Sequence, residues 1–88
     1  MEVQFLRKFS KDLDKISQPK AKKSILEIVQ LVQSSDTLDQ IPGVRKLVGF
    51  DDAYRIRSGD YRIGVFHSEE LVQFARVAHR KDIYKVFP

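Results

Sequence analysis

The stretch Tyr54-Arg55-Ile56-Arg57-Ser58-Gly59-Asp60-Tyr61-Arg62-Ile63 decides the fold. Apolar and basic residues alternate on either side of Gly59-Asp60, and a period of two marks a half-buried strand. Gly-Asp is a candidate two-residue hairpin turn. The stretch therefore predicts two antiparallel strands in one register: Ser58 faces Tyr61, Arg57 faces Arg62, Ile56 faces Ile63, Arg55 faces Gly64 and Tyr54 faces Val65. One side of the ribbon, with Tyr54, Ile56, Ile63 and Val65, has to be packed. The other side gathers Arg55, Arg57 and Arg62.

Downstream, a break at Ser68-Glu69-Glu70 leads into Leu71 to Ala78, apolar on both faces and suited to a central strand. A tight turn at Glu69-Glu70 would pair Val65 with Phe74 and Arg62 with Val77, placing His79 on the arginine face. The tail from His79 to Pro88 is basic and aromatic. Upstream, Val3 to Leu6 is a short β-like run that passes into a helical pattern of Leu6, Phe9, Leu13 and Ile16. Ser17-Gln18-Pro19 restarts the chain, since proline suits the first position of a helix. A second helix is predicted from Pro19 to about Ser34, with Ala21, Ile25, Ile28, Val29 and Val32 as its stripe. Residues 35–49 read as an ordered connecting loop with turns at Gly43 and Gly49. The expected fold is a single α+β domain over residues 1–88: a strand, an N-terminal helical hairpin, then a three-stranded antiparallel meander, with the helices on one face of a small twisted sheet.

The 88 residues allow one modest core, and 42% hydrophobic with 32% charged residues suits a folded domain. There is no apolar run of membrane-spanning length and no signal-peptide pattern, so a cytoplasmic location without a membrane partner is expected. With no cysteine there is no disulfide framework and no thiolate metal site. The net charge of +4 favours polyanions without naming one. Its distribution is more telling. Residues 45–88 hold six of the seven arginines, and arginine grips phosphate with a two-pronged fork that lysine lacks.

Arginines placed directly opposite in a sheet repel, and no acidic residue alternates with them here. A bound polyanion would relieve that repulsion; the alternative is a solvated outer face. Gly64, opposite Arg55, would keep the surface open. His79 and Tyr84 supply groups able to move a proton, whereas His67, near the second turn on the packed side, reads as structural. These types suffice for metal-independent RNA cleavage. The substrate carries its own nucleophile, the 2′-OH, and needs a base, cations for the crowded phosphorane and an acid for the leaving oxygen. Two histidines without clustered carboxylates make a poor metal site, and no cofactor motif is present.

The hairpin, followed by Val77-Ala78-His79-Arg80-Lys81-Asp82-Ile83-Tyr84, resembles the RelE/ParE superfamily of toxins. The likeness extends to Phe9-Ser10-Lys11-Asp12-Leu13 and the Pro19 restart, and so covers nearly the whole chain. A RelE-like toxin of a type II toxin–antitoxin system would be a ribosome-dependent endoribonuclease, cutting mRNA in the A site until a cognate RelB-like, acidic antitoxin wraps it. On this resemblance Arg62, Arg80, Tyr84 and His79 are the catalytic candidates, with Tyr84 or His79 as base. Arg55, Arg57, Lys81 and Lys85 would hold RNA or the ribosome. Arginine stands at 55 and 57 where relatives carry lysine, and a guanidinium does not readily deprotonate. Two further readings share the fold: a ParE-like inhibitor of DNA gyrase, and a non-catalytic RNA-binding module.

Overall fold

The computed structural model describes all of residues 1–88. The chain runs β1 (Glu2–Phe5), α1 (Arg7–Lys15), α2 (Pro19–Ser34), a 3₁₀ turn (Leu38–Gln40), β2 (Val44–Lys46), β3 (Ala53–Ser58), β4 (Tyr61–Ser68), β5 (Leu71–His79) and α3 (Ile83–Val86). The five strands form one sheet in the order β1-β5-β4-β3-β2. The α+β class, the helical hairpin and the meander follow the expectation. Three elements are additional: the 3₁₀ turn and β2, both inside the segment read as a loop, and α3, a single turn in the tail. No helix is long and apolar enough to cross a membrane.

The β3–β4 register is the one the alternation dictates, pair for pair, from Ser58 opposite Tyr61 to Tyr54 opposite Val65. Gly59 has φ +58, a positive value at the first central residue that is the type II′ pattern matching strand twist. Ile56, Ile63 and Val65 are fully buried on the helix side. There they join Phe9 of α1, Ile25, Val29 and Val32 of α2, and Phe74 of β5 in the main core. Pro19 opens α2 as its first helical residue. At its far end, the Met1 amino group donates to the carbonyls of Val32, Gln33 and Ser35 at 3.2, 2.9 and 2.8 Å. A cation there satisfies carbonyls that the helix leaves unpaired and opposes its dipole.

The β4–β5 register departs from the expectation. Val65 does face Phe74, but Gly64 faces Arg76, so Ala75 is an extra residue bulged out of β5. One extra residue reverses which face every later side chain takes. Arg62 therefore faces Ala78 rather than Val77, and His79 faces Tyr61 on the helix side. The expected placement of His79 among the arginines is thereby corrected.

β5 is central, as its two-sided apolar character implied: β1 flanks it in parallel through Phe5 opposite Phe74. Past Phe5 that edge would stand open, and α1 covers it. Asp12 accepts the Val77 N–H (3.1 Å) and takes the Arg76 guanidinium through both oxygens, at 2.7 and 3.1 Å. The hydrogen bond to Asp12 raises the Arg76 pKa, outweighing the opposing effect of burial. A raised arginine keeps its charge at every pH below its ordinary value, so Arg76 adds no pH dependence in the working range.

Asp12→Ala leaves a half-buried guanidinium and a sheet-edge N–H without their acceptor. A loss of about 2–4 kcal/mol is expected in urea unfolding, against a change within about 0.5 kcal/mol for an exposed, unpaired carboxylate such as Asp14. Ser58 is buried with an unpartnered hydroxyl, so Ser58→Ala should leave the midpoint unchanged or higher.

Candidate nucleic-acid interface

The face of the sheet opposite the helices carries a smaller core. Leu47, Ala53, Ala75, Ile83 and Phe87 are buried together, with Leu6, Phe66, Ala78 and Val86 around them. α3 brings the tail back across this face, since the Phe87 N–H closes the turn on Ile83 (2.9 Å). Its ring meets Phe66 at a centroid separation of 5.0 Å. Phe87 sits directly on Gly64: a Cβ there would lie 2.5–2.7 Å from the two Cδ atoms of the ring. Gly64 does not keep the face open for a ligand, as the alternation suggested. It is the socket into which the tail plugs.

What the tail leaves uncovered is a cleft of about 690 Å³, lined by Arg45, Arg55, Arg57, Arg62, Tyr84 and Phe50 among others. The arginines come in two directly opposed pairs, Arg45 with Arg55 and Arg57 with Arg62. None has a carboxylate partner, because the ion pairs of the chain are Arg76–Asp12 and Lys85–Asp82. Arg62 instead donates through one terminal nitrogen to the carbonyls of Gly59 (2.8 Å) and Tyr61 (2.9 Å), which holds it against the hairpin turn. The Arg55 guanidinium lies 4.4 Å from the centre of the Tyr84 ring, a cation–π contact, and its Nε is buried with no acceptor. Tyr84 remains 71% exposed.

Of the residues named from sequence, the cleft unites Arg55, Arg57, Arg62 and Tyr84. Arg80 lies outside its lining, but its backbone N–H donates to Asp60 (2.7 Å), which places it at the same end of the sheet as Arg62. His79 is on the other face, edge-on to Tyr61 at 5.9 Å, with Nδ1 accepting the Lys81 N–H at 3.2 Å. Lys81 and Lys85 are exposed and outside the cleft, and Lys85 lies 3.8 Å from Asp82. Arg45 and Phe50 were missed. The one available signal was Val44-Arg45-Lys46, too short an alternation to register as a strand.

Residues 3–84 match the family described as the ParE toxin of type II toxin–antitoxin system, parDE. The chain belongs to that family. It is also 38% identical, over 89 residues and the whole of both chains, to Toxin RelE3 of Methanocaldococcus jannaschii. Among solved structures, the toxin fold of the family is shared with the RelB-RelE antitoxin-toxin complex from Methanococcus jannaschii. The TM-score is 0.81 at 37% identity, covering 96% of this chain and 98% of that one. The archaeal RelE-RelB complex from Pyrococcus horikoshii OT3, at a TM-score of 0.72 and 21% identity over 90% and 93% of the two chains, agrees in fold alone. The RelE/ParE resemblance read from the hairpin and tail is thus the chain's family.

The Gly64 socket sets the position of Tyr84, three residues before Phe87. Gly64→Ala drives the ring off the sheet at a cost of about 1–3 kcal/mol, a fall of roughly 4–20 °C in Tm. In the double variant with Phe87→Ala the added methyl meets no ring. The two losses should then sum to clearly more than the double variant shows.

Proposed function

We propose that this toxin is a metal-independent endoribonuclease acting on mRNA at the ribosome, held inactive by a RelB-like, acidic antitoxin. The observation that carries the reading is the cleft: four arginines without carboxylate partners around one exposed tyrosine hydroxyl. Preorganised guanidiniums stabilise the charge that builds on the non-bridging oxygens as the 2′-oxygen attacks phosphorus. Strand pairing fixes the backbone positions of all four, and Arg62 and Arg55 are further held, by the hairpin-turn carbonyls and by the Tyr84 ring, before any ligand arrives.

The placement of His79 narrows the proton chemistry. Of the cleft's proton donors, Tyr84 stands on the arginine face against Arg55, whereas Lys46, which also lines the cleft, alternates to the other face opposite Tyr54. A phenol serves as donor at neutral pH. It would protonate the 5′-oxygen as the P–O5′ bond breaks, while the 2′-OH proton passes to water and a 2′,3′-cyclic phosphate forms. Arg62 and Arg57 hold the reacting phosphate, Arg55 keeps Tyr84 in place, and Arg80 clamps the adjacent phosphate from the hairpin end. Lys81 and Lys85 contribute field on the exposed tail. The cleft lining offers no carboxylate, imidazole or thiol side chain as a metal ligand, in keeping with the metal-independent form of the reaction.

An antitoxin partner is supported by the RelB bound to RelE in the related archaeal complexes. A net charge of +4 favours an acidic segment for it. The family description keeps a second reading, a ParE-like inhibitor of DNA gyrase, on the same fold. An inhibitor of that kind needs no phosphate clamp around a proton donor.

In a translating extract the wild-type chain should fragment mRNA, and in a separate supercoiling assay it should leave DNA gyrase untouched. Tyr84→Phe keeps the Arg55 stack and loses only the hydroxyl; cutting should fall about 10²- to 10⁴-fold with RNA binding retained. Arg62→Ala should cost about 10²- to 10³-fold. Full cutting by both variants, or gyrase inhibition without cutting, overturns the reading.

A further inference from the structure

The arginine cleft has a second kind of wall. Residues 47–50 turn tightly, with the Phe50 N–H donating to the Leu47 carbonyl at 3.3 Å and Gly49 at φ +86. A positive φ at the third position is the type II pattern, and it favours glycine there. The turn is tied down on both sides. Leu47 is buried and its N–H donates to Ala53 (2.9 Å), while Asp52 accepts the His67 N–H (2.8 Å). This braced turn leaves Val48 98% exposed and Phe50 48% exposed, and both line the cleft beside the arginines. Neither belongs to either core. The fold does not require these two side chains to be apolar.

We infer that the Val48–Phe50 turn is a nucleobase platform, on which one base of single-stranded RNA stacks against Phe50 while its phosphate lies on the arginines. An aromatic face beside a row of cations is how proteins hold single strands, because every base offers a π-face and every nucleotide a phosphate. Tyr84 is a poorer platform, since Arg55 already occupies its ring. Phe50 takes part in no aromatic pair and no cation contact. An acidic peptide would also suit the arginines. Two side chains on one turn, however, offer a peptide only a small apolar contact, whereas a single ring face is all that one base needs. Val48 would close over the edge of the stacked base. The platform would thereby fix the position of one nucleotide beside the reacting phosphate, with only the modest base preference that stacking strength supplies.

This inference rests on the cleft being an RNA site, and the test separates the two. The affinity of the purified toxin for a single-stranded RNA hexamer is measured, together with hexamers abasic at one position in turn. Phe50→Ala should weaken binding to the intact hexamer about 5- to 150-fold, the range of one stacked base. Phe50→Tyr should restore it, with the melting temperature unchanged in both. On one abasic hexamer the Phe50→Ala penalty should vanish, identifying the stacked nucleotide. If Arg57→Ala weakens binding while Phe50→Ala does not, the cleft stands and the platform falls. If neither matters, both fall. A penalty of equal size on every abasic hexamer also overturns the platform, since the ring would then act without a base.

Discussion

Four guanidinium groups in two directly opposed cross-strand pairs repel one another, and the rest of the molecule is arranged so that the sheet can hold them there. Like charges opposite each other cost up to about 1 kcal/mol per pair. Each such pair is offset by its neighbours in the ladder: Ile56 and Ile63, next to Arg57 and Arg62, are both fully buried, and burying one such side chain contributes about 1.5–3 kcal/mol. The helices on one face make this possible. Since the sheet does not depend on the arginine face alone for burial, that face is free to carry charge without local neutralisation.

The tail is what turns a charged surface into a site. Five buried residues join it to the sheet, and the absence of a side chain at Gly64 lets Phe87 dock flush against the strand. That contact closes one wall of the cleft and brings Tyr84 over Arg55. Arg55 is then held by its own strand below and the tyrosine ring above, leaving its Nε without an acceptor. A buried donor left unpaired normally costs stability.

Residues 54–63 were fully legible because a two-residue turn and strict alternation leave a single register, and the Arg57–Arg62 and Arg55–Gly64 pairs stand as read. The limits of Pro19–Ser34 were equally plain, with proline opening the helix and a serine pair closing it. His79 was misplaced for a physical reason. A bulge at Ala75 is settled by packing on both faces of the sheet, and nothing in Phe74-Ala75-Arg76 distinguishes a regular strand from one with an extra residue. Arg45 was invisible because β2 is three residues long and is held by pairing with β3 rather than by a pattern of its own. Gly64 stands out in the alternation, but its contact with Phe87 spans 23 positions and no local pattern predicts it.

The bulge also bears on chemistry. Without it, His79 would stand on the arginine face and a conventional base would be available to the cleft. With it, the imidazole is turned toward Tyr61 and engaged by the Lys81 amide, while Arg76, on the arginine face, is drawn to the strand edge by Asp12. The same extra residue thus removes a titrating group from the cleft and diverts one arginine to a structural ion pair. What remains is a site made almost wholly of permanent cations and one phenol. Such a site is suited less to activating a nucleophile than to stabilising charge on a phosphate whose nucleophile is already attached. That constraint suits the proposed RNA substrate, whose 2′-OH is adjacent to every linkage.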